Sequence, residues 1–336
     1  MRWPRRLGKF LLFVSRGLAP ATAWWLARHD ATKCNDYRGV PLSDLAGAWE
    51  ATGRWNGLVA AGGTIRSTRV ELPFHGTDLL ARGFSTLAAL HENGFAIARA
   101  EGGTLLVTNA TWHLRVTTEE EISMLHEIFL DGCYDLRLSG QWNVLDIGAN
   151  VGLAGLFFAA QPWVHQVIAF EPFAPTGDAH RDMLALNPGL AAKISLHRYG
   201  LGETTERLTV GFCRNLCGSM SIHGLGSWRG AATTPLERVD IEVRRASEVL
   251  DEFAPTLAGR RTLAKIDCEG SEYPILRDLE RSGWLTRLDA IIMEWHGRQP
   301  DELVERLQRA GFGLHVRNLA GNLTLGLILA WRDRAG

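Results

Sequence analysis

The stretch that decides the fold is VLDIGANVG, which runs from Val144 to Gly152. NVLDI at 143–147 is a short apolar strand, and VGLAGLFFAAQ at 151–161 has the composition of a helix. Gly148, between them, can take a positive φ and has no side chain to keep a ligand away from the backbone. The N–H groups at the start of the helix face the same space. The stretch therefore predicts a strand, a ligand-binding turn and a helix in succession.

Apolar strands alternate with helices over the rest of the C-terminal half. The further predicted strands lie at 165–171, 193–201, 263–268, 289–295, 313–318 and 323–331. The further predicted helices lie at 174–187, 271–283 and 301–311. This alternation predicts an α/β fold whose mostly parallel, seven-stranded sheet is covered by helices on both faces. Ligands bind such sheets at the carboxyl ends of the strands, so we expect the chemistry directly after residues 147, 171, 199, 267 and 294.

A second signal is the carboxylate Glu171, which ends the next strand in IAFEP, 25 residues after Asp146. An acid at this place can accept hydrogen bonds from both hydroxyls of a ribose. The alternative is that Glu171 only caps the helix that follows Pro172.

The spacing of the glycines after the first strand argues against two other cofactor classes. Gly148 and Gly152 give the spacing G-x-x-x-G, which differs from the G-x-G-x-x-G of dinucleotide sites, and no Gly-Lys-Ser/Thr follows. A nicotinamide-dependent oxidoreductase and a nucleoside-triphosphate loop are both disfavoured.

Four more ionisable side chains are predicted to converge at the ends of two later strands. IDCEGSE and IIMEWH carry them: Asp267, Glu269, Glu294 and His296. Buried carboxylates need partners, and Lys265 on the first of these strands is a candidate. Crowding of like charges also raises carboxyl pKa values, which suits a general base. We therefore predict that these four are the catalytic residues.

Three roles are open for this cluster. His296 or one of the carboxylates could act as a general base that takes a proton from a hydroxyl group. The carboxylates could instead bind a divalent metal that orients the acceptor oxygen, although nothing in the sequence requires one and no metal ligand is assigned. In the third interpretation Glu269 and Glu272 only favour a helix N-terminus, and Asp267 caps it.

The motifs DIGANVG, AFEP, KIDCEGSEYPIL and IIMEWH, in this order, resemble the FkbM-type methyltransferase family. The resemblance covers about 118–331 and implies a Rossmann-like class I fold that uses S-adenosylmethionine (SAM). It also implies methylation of a hydroxyl group on a small-molecule or glycan acceptor, such as a saccharide, a glycolipid or a natural product. The alternative from another class is a non-catalytic scaffold or subunit with the same fold.

The resemblance also assigns residues to the cofactor. Its predicted contacts are Asp146, Gly148, Asn150, Gly152, Glu171, Tyr199 and Gly200. The first four would line the methionine end of SAM, and Glu171 would bind the ribose. The third strand ends in HRYGLG without an acid, so backbone groups at 199–201 would face the adenine. The Gly- and Ser-rich stretch 215–227 is predicted to border the acceptor pocket, with Ser219 and His223 as members.

Composition limits the partners. Lys and Arg total 36 against 37 Asp and Glu, so the formal net charge of -1 gives no general attraction to nucleic acid. The five cysteines are irregularly spaced and predict no disulfide framework, which favours reduced thiols and a cytoplasmic protein.

The N-terminal segment 1–30 is basic, with six Lys or Arg residues against Asp30. Its apolar runs are too short for a membrane span. Two interpretations are open: an amphipathic helix on an anionic membrane surface, giving peripheral contact, or a helix packed on the protein. We thus predict three parts: this segment, a mixed α/β elaboration at 31–117, and a methyltransferase domain at 118–336.

Overall fold

The computed structural model describes residues 83–222, 236–319 and 323–332, with Leu79 and the backbone of short strands at 36–37, 40–41, 58–61, 64–67, 73–74 and 224–225. The basic segment 1–30 and His223 lie outside the described residues. The chain divides into two compact units, Met1–Gly132 and Cys133–Gly336. The three predicted parts, with boundaries after residues 30 and 117, remain predictions.

The first unit mixes helices and strands. Its described helices are Phe84–Glu92 and Glu119–Phe129, and three antiparallel strands lie between them at Ala96–Arg99, Leu105–Thr108 and His113–Val116. The last two of these strands form a hairpin. Asn109 causes the reversal, because its side-chain oxygen accepts the N–H groups of Thr111 and Trp112.

The second unit is built on a sheet of seven strands among the described residues. We label them β1 Trp142–Ile147, β2 Val164–Phe170, β3 Ile194–His197, β4 Arg261–Ile266, β5 Ala290–His296, β6 Gly313–Asn318 and β7 Leu325–Trp331. Their order across the sheet is β3-β2-β1-β4-β5-β7-β6, and β7 runs antiparallel to its neighbours β5 and β6. This confirms the predicted mostly parallel sheet.

Six helices accompany the sheet in the described part of the second unit. They are α1 Leu153–Ala159, α2 Ala174–Leu186, α3 Pro188–Ala191, α4 Ala246–Leu257, α5 Glu272–Arg281 and α6 Asp301–Arg309. Every residue of β1 is buried, on both faces of the strand, as expected for a central strand between two helix layers. A smaller sheet pairs Gly200–Gly202 and Glu206–Phe212 with Glu237–Arg245. Short 3₁₀ turns lie at Arg214–Ser219 and Trp284–Thr286.

Two predicted boundaries were wrong for local reasons. The strand predicted at 193–201 ends at His197, and Gly200–Gly202 leaves the main sheet to pair with Glu237–Arg245. Helix α1 begins at Leu153 rather than near Val151, because Gly152 is left-handed with a φ of 90°. The strand order reverses between β1 and β4, since β2 lies on one side of β1 and β4 on the other. A ligand site is expected at the carboxyl ends of these two strands.

Candidate active site

The turn after β1, residues 148–152, is the glycine loop. Gly148 has a φ of 80°, and a Cβ on it would lie only 1.9 Å from the carbonyl oxygen of Asp267. Gly152 has a φ of 90°, and its Cβ would lie 2.4 Å from the His180 ring. Both glycines therefore allow the loop to pack against neighbouring chain segments, a reason that the sequence pattern alone did not reveal.

Asn150 holds the middle of the glycine loop in an unusual conformation. Its φ is 49°, a left-handed value that is uncommon for a non-glycine residue and that asparagine adopts more readily than most. Its backbone N–H donates to Glu171 at 2.9 Å, and its side-chain amide donates to the Cys217 carbonyl at 3.0 Å. Strained residues held by such contacts are common at ligand sites. The second contact joins the loop to the predicted acceptor-pocket stretch 215–227, to which Ser219 also belongs.

Glu171 is buried directly after β2. One carboxylate oxygen accepts the Asn150 N–H and the other accepts the Phe173 N–H, each at 2.9 Å. Burial raises the pKa of Glu171 to about 7, although both hydrogen bonds act to lower it. The Phe173 contact holds the residue directly before α2, and α2 itself has no side-chain cap hydrogen bond. Each oxygen keeps a second lone pair, so the carboxylate can still accept hydrogen bonds from a ligand.

Asp146, Lys265 and Asp267 form a line of charges from β1 to the turn after β4, in which Asp146 and Lys265 are buried and Asp267 is partly exposed. The Lys265 ammonium lies 3.2 Å from Asp146 and 3.6 Å from Asp267, and it donates to the Gly148 carbonyl at 2.7 Å. Burial acts to lower the pKa of Lys265, but the two carboxylates outweigh it and raise the pKa. Lys265 is thus the partner that the sequence predicted.

The Asp146 carboxylate is fully buried. Apart from the ion pair with Lys265, neither of its oxygens has a well-aligned hydrogen-bond donor among the described residues. Its position beside the glycine loop leaves acceptor capacity for a bound molecule. Buried acceptors normally have partners, so this carboxylate indicates a place where a ligand or water donates.

The acidic cluster consists of Asp267, Glu269, Glu272, Glu294 and His296. His296 ends β5, and its Nδ1 lies 3.1 Å from Glu272. Its Nε2 lies 3.5 Å from Glu294 and 3.6 Å from Glu269. The structure therefore brings together all four residues that the sequence nominated for catalysis, with Glu272 added.

Electrostatic effects inside the acidic cluster are strong. Burial raises the pKa of Glu269 to about 8, and burial also raises the pKa of Glu294. Burial alone would lower the pKa of His296, but hydrogen bonds to Glu272 and Glu294 and the nearby charges raise it to about 11. Asp267, Glu294 and His296 each offer a donor atom, all within 4.8 Å of one another, which is close enough for a small cation.

Sequence reasoning missed the importance of Glu272. It treated this residue as a favourable charge at a helix N-terminus, yet the side chain is fully buried and turned back into the acidic cluster. The signal in the sequence is an acid at the first position of a helix that follows a glycine turn. Such an acid can accept the N–H groups of that turn, as Glu272 does from Cys268 and Gly270.

The predicted Tyr199 and Gly200 pack at the end of β2, and the unpredicted His180 packs against the glycine loop. Tyr199 packs on Phe170, and Gly200 is buried against Pro172, the neighbour of Glu171. His180 was not nominated from the sequence. It is fully buried, and burial lowers its pKa to about 4, so its ring is neutral at ordinary pH.

The fold and the site together define the class of protein to which the chain belongs. The order β3-β2-β1-β4-β5-β7-β6 with an antiparallel β7 is that of class I methyltransferases. The glycine loop after β1 and the acid after β2 lie at the carboxyl ends of neighbouring strands, where open α/β sheets bind ligands.

Comparisons with known proteins identify the family within this class. Residues 146–314 match the model of the methyltransferase FkbM domain. The chain is 28% identical over 210 residues to "Methyltransferase sdnD" of Sordaria araneosa, an alignment of 56% of this chain and 80% of the relative. It is 26% identical over 211 residues to "Methyltransferase 1" of Beauveria bassiana, covering 58% and 83%. The chain belongs to the FkbM methyltransferase domain family and is a methyltransferase.

The chain was also matched to a solved structure. It is a methyltransferase FkbM from Methylobacillus flagellatus, with 16% sequence identity and a TM-score of 0.41; the alignment covers 98% of this chain and 72% of that one. Among the described residues, no helix has both the length and the apolar composition that a membrane crossing requires.

Proposed function

We propose that this methyltransferase uses SAM and methylates a hydroxyl oxygen of a small-molecule acceptor, of the saccharide, glycolipid or natural-product class. The observation that carries the proposal is the placement of two different sites at one edge of the sheet. The glycine loop with Glu171 follows β1 and β2, and the acidic cluster follows β4 and β5. The first suits a nucleoside cofactor, and the second suits removal of a proton.

The residues present fit SAM. The Asp146 carboxylate is a buried acceptor with capacity to spare, which suits the cationic methionine end of the cofactor. Glu171 offers free lone pairs to the two ribose hydroxyls. The backbone of the glycine loop, at Gly148, Asn150 and Gly152, would lie beside the methionine end of the cofactor. The backbone at Tyr199 and Gly200 would face the adenine.

SAM supplies a methyl group on a positively charged sulfur, which makes that carbon open to attack by an oxygen nucleophile. The acceptor hydroxyl must lose its proton as its oxygen bonds to the methyl carbon and the carbon–sulfur bond breaks. Members of the acidic cluster take that proton in this proposal. Raised carboxyl pKa values make Glu269 and Glu294 better proton acceptors than ordinary carboxylates once they are ionised.

The charge of the site favours a neutral acceptor. The acidic cluster contains four carboxylates and one histidine, with Lys265 as the neighbouring cation. A phosphate or carboxylate acceptor would meet repulsion there, whereas a sugar hydroxyl or an alcohol would not.

The test has two parts. Calorimetry with S-adenosylhomocysteine should show one binding site, and titration with NADH should give no heat. Binding of NADH alone would instead support the oxidoreductase alternative. Incubation with methyl-labelled SAM and panels of neutral sugars, amines and carboxylic acids should then transfer label to hydroxyl compounds. Label on amines only would refute O-methylation, and binding without transfer to any class would favour the scaffold alternative.

A further inference from the structure

The Glu272 carboxylate, in the acidic cluster, has three close polar contacts. Its side chain is fully buried at the start of α5. One oxygen accepts the Cys268 N–H at 2.8 Å and faces His296 Nδ1 at 3.1 Å, and the other accepts the Gly270 N–H at 2.8 Å. A carboxylate without access to water is stable as an anion only with such partners.

These contacts fix the turn after β4. Glu269 has a φ of 52° and Gly270 a φ of 107°, so the turn contains two consecutive left-handed residues, one of them not glycine. Glu272 accepts the N–H groups on both sides of Glu269. It thereby stabilises the conformation that carries Asp267 and Glu269 towards His296.

The two ring nitrogens of His296 both face carboxylates. Nδ1 faces Glu272, and Nε2 faces Glu294 at 3.5 Å and Glu269 at 3.6 Å. A neutral imidazole has only one N–H, so its other nitrogen would direct a lone pair at a negative oxygen. An imidazolium donates from both nitrogens and satisfies both sides.

The charges that face His296 come from three elements. Glu272 belongs to α5, Glu294 to β5, and Asp267 and Glu269 to the turn after β4. The opposing cation is Lys265, which is already paired with Asp146 and Asp267. Negative charge therefore dominates around the ring and favours the protonated form.

We propose that Glu272 is a positioning residue that holds His296 as a cation, so that His296 orients and neutralises the carboxylates of the acidic cluster instead of accepting the substrate proton. This inference rests on the proposed function and deepens it. The proton acceptor is then a carboxylate, and Glu294 is the candidate on the same strand. His296 keeps Glu294 ionised beside a buried substrate and fixes the direction of its side chain.

The test is nitrogen-detected NMR of the histidine rings in the full chain, without cofactor or acceptor. The His296 signals are assigned by their loss in His296→Gln. They should be those of an imidazolium from about pH 6 to about pH 9. In Glu272→Gln the pKa of His296 should fall by at least about one unit, because a neutral amide replaces the anion. Glu305→Gln, on an exposed carboxylate of α6, is the matched control and should change nothing.

Kinetics supply a second readout. Glu272→Gln should lower kcat and shift the pH profile, with KM for SAM changed by no more than a few-fold, because the Glu272 side chain contacts His296 and the turn after β4 and makes no hydrogen bond to the glycine loop. A neutral His296 ring at pH 7 in the wild-type chain would overturn the proposal, and this measurement needs no folded variant. An unchanged His296 pKa in Glu272→Gln would also overturn it. A failure of the proposed function can be told apart from a failure of this inference. In that case S-adenosylhomocysteine would not bind, while the NMR signals would still show a protonated His296.

Discussion

Replacement of Glu171 by glutamine is the most informative perturbation of the cofactor site. In the wild-type chain each carboxylate oxygen accepts one backbone N–H at 2.9 Å, from Asn150 and from Phe173. Glutamine keeps the size but offers only one oxygen. Its NH₂ group must then face a backbone N–H, which removes one hydrogen bond at a buried position.

The expected loss of affinity follows from these contacts. Ribose hydroxyls that donate to an anion form charged hydrogen bonds, and their loss costs about 1.5–3 kcal/mol, or roughly 10- to 150-fold in Kd. Calorimetry with S-adenosylhomocysteine measures this directly, with Glu305→Gln as the exposed control. A Kd within about threefold of wild type, in a variant with a normal melting temperature, would refute the ribose role and leave Glu171 only as an acceptor of the two backbone N–H groups.

The same side chain predicts a pH dependence. With the pKa of Glu171 at about 7, about one-tenth of the free protein carries the carboxylate at pH 6 and about nine-tenths at pH 8. Since the ionised form binds, affinity for S-adenosylhomocysteine should rise roughly tenfold between these pH values. Glu171→Gln should lose this rise, and a wild-type affinity that falls with pH would contradict the assignment.

Four further predictions follow from other parts of the site. Gly148→Ala should lower the free energy of unfolding by about 2–4 kcal/mol, seen in denaturant titration, because its Cβ meets the Asp267 carbonyl. Lys265→Met should cost about 3–5 kcal/mol, since it leaves the buried Asp146 carboxylate unpaired, and an unchanged midpoint would argue against the line of charges. Glu294→Gln should reduce kcat by about 10²-fold or more while S-adenosylhomocysteine affinity stays within a few-fold; equal turnover would remove it as proton acceptor. Chelator should leave turnover unchanged, and a loss restored by added Mg²⁺ or Mn²⁺ would assign a cation to the acidic cluster instead.

Much of the fold could be predicted because local patterns and tertiary packing agree in it. The strands that precede the glycine loop and Glu171 are mainly apolar, and the burial of β1 and of Val167–Phe170 in β2 matches that composition. The third strand, β3, is shorter than the sequence predicted. The strand was predicted to run to residue 201, but Gly200–Gly202 pairs with a distant strand, a choice that no local pattern encodes.

The candidate site was predictable in position and less so in detail. Asp267, Glu269, Glu294 and His296 were expected together because the ends of neighbouring parallel strands meet. The inward turn of Glu272 depends on the left-handed backbone at Glu269 and Gly270, which the sequence does not specify. The packing reason for Gly148 likewise depends on how closely the loops after β1 and β4 approach each other.

The central claim is that SAM binds at the glycine loop with its reactive end towards the acidic cluster. A crystal structure of the full chain with S-adenosylhomocysteine tests it most directly. The account predicts that the ribose hydroxyls lie within hydrogen-bond distance of Glu171 and that the sulfur faces the side of the site formed by Asp267 and Glu294. A ligand bound elsewhere, or one whose ribose lies away from Glu171, would contradict it.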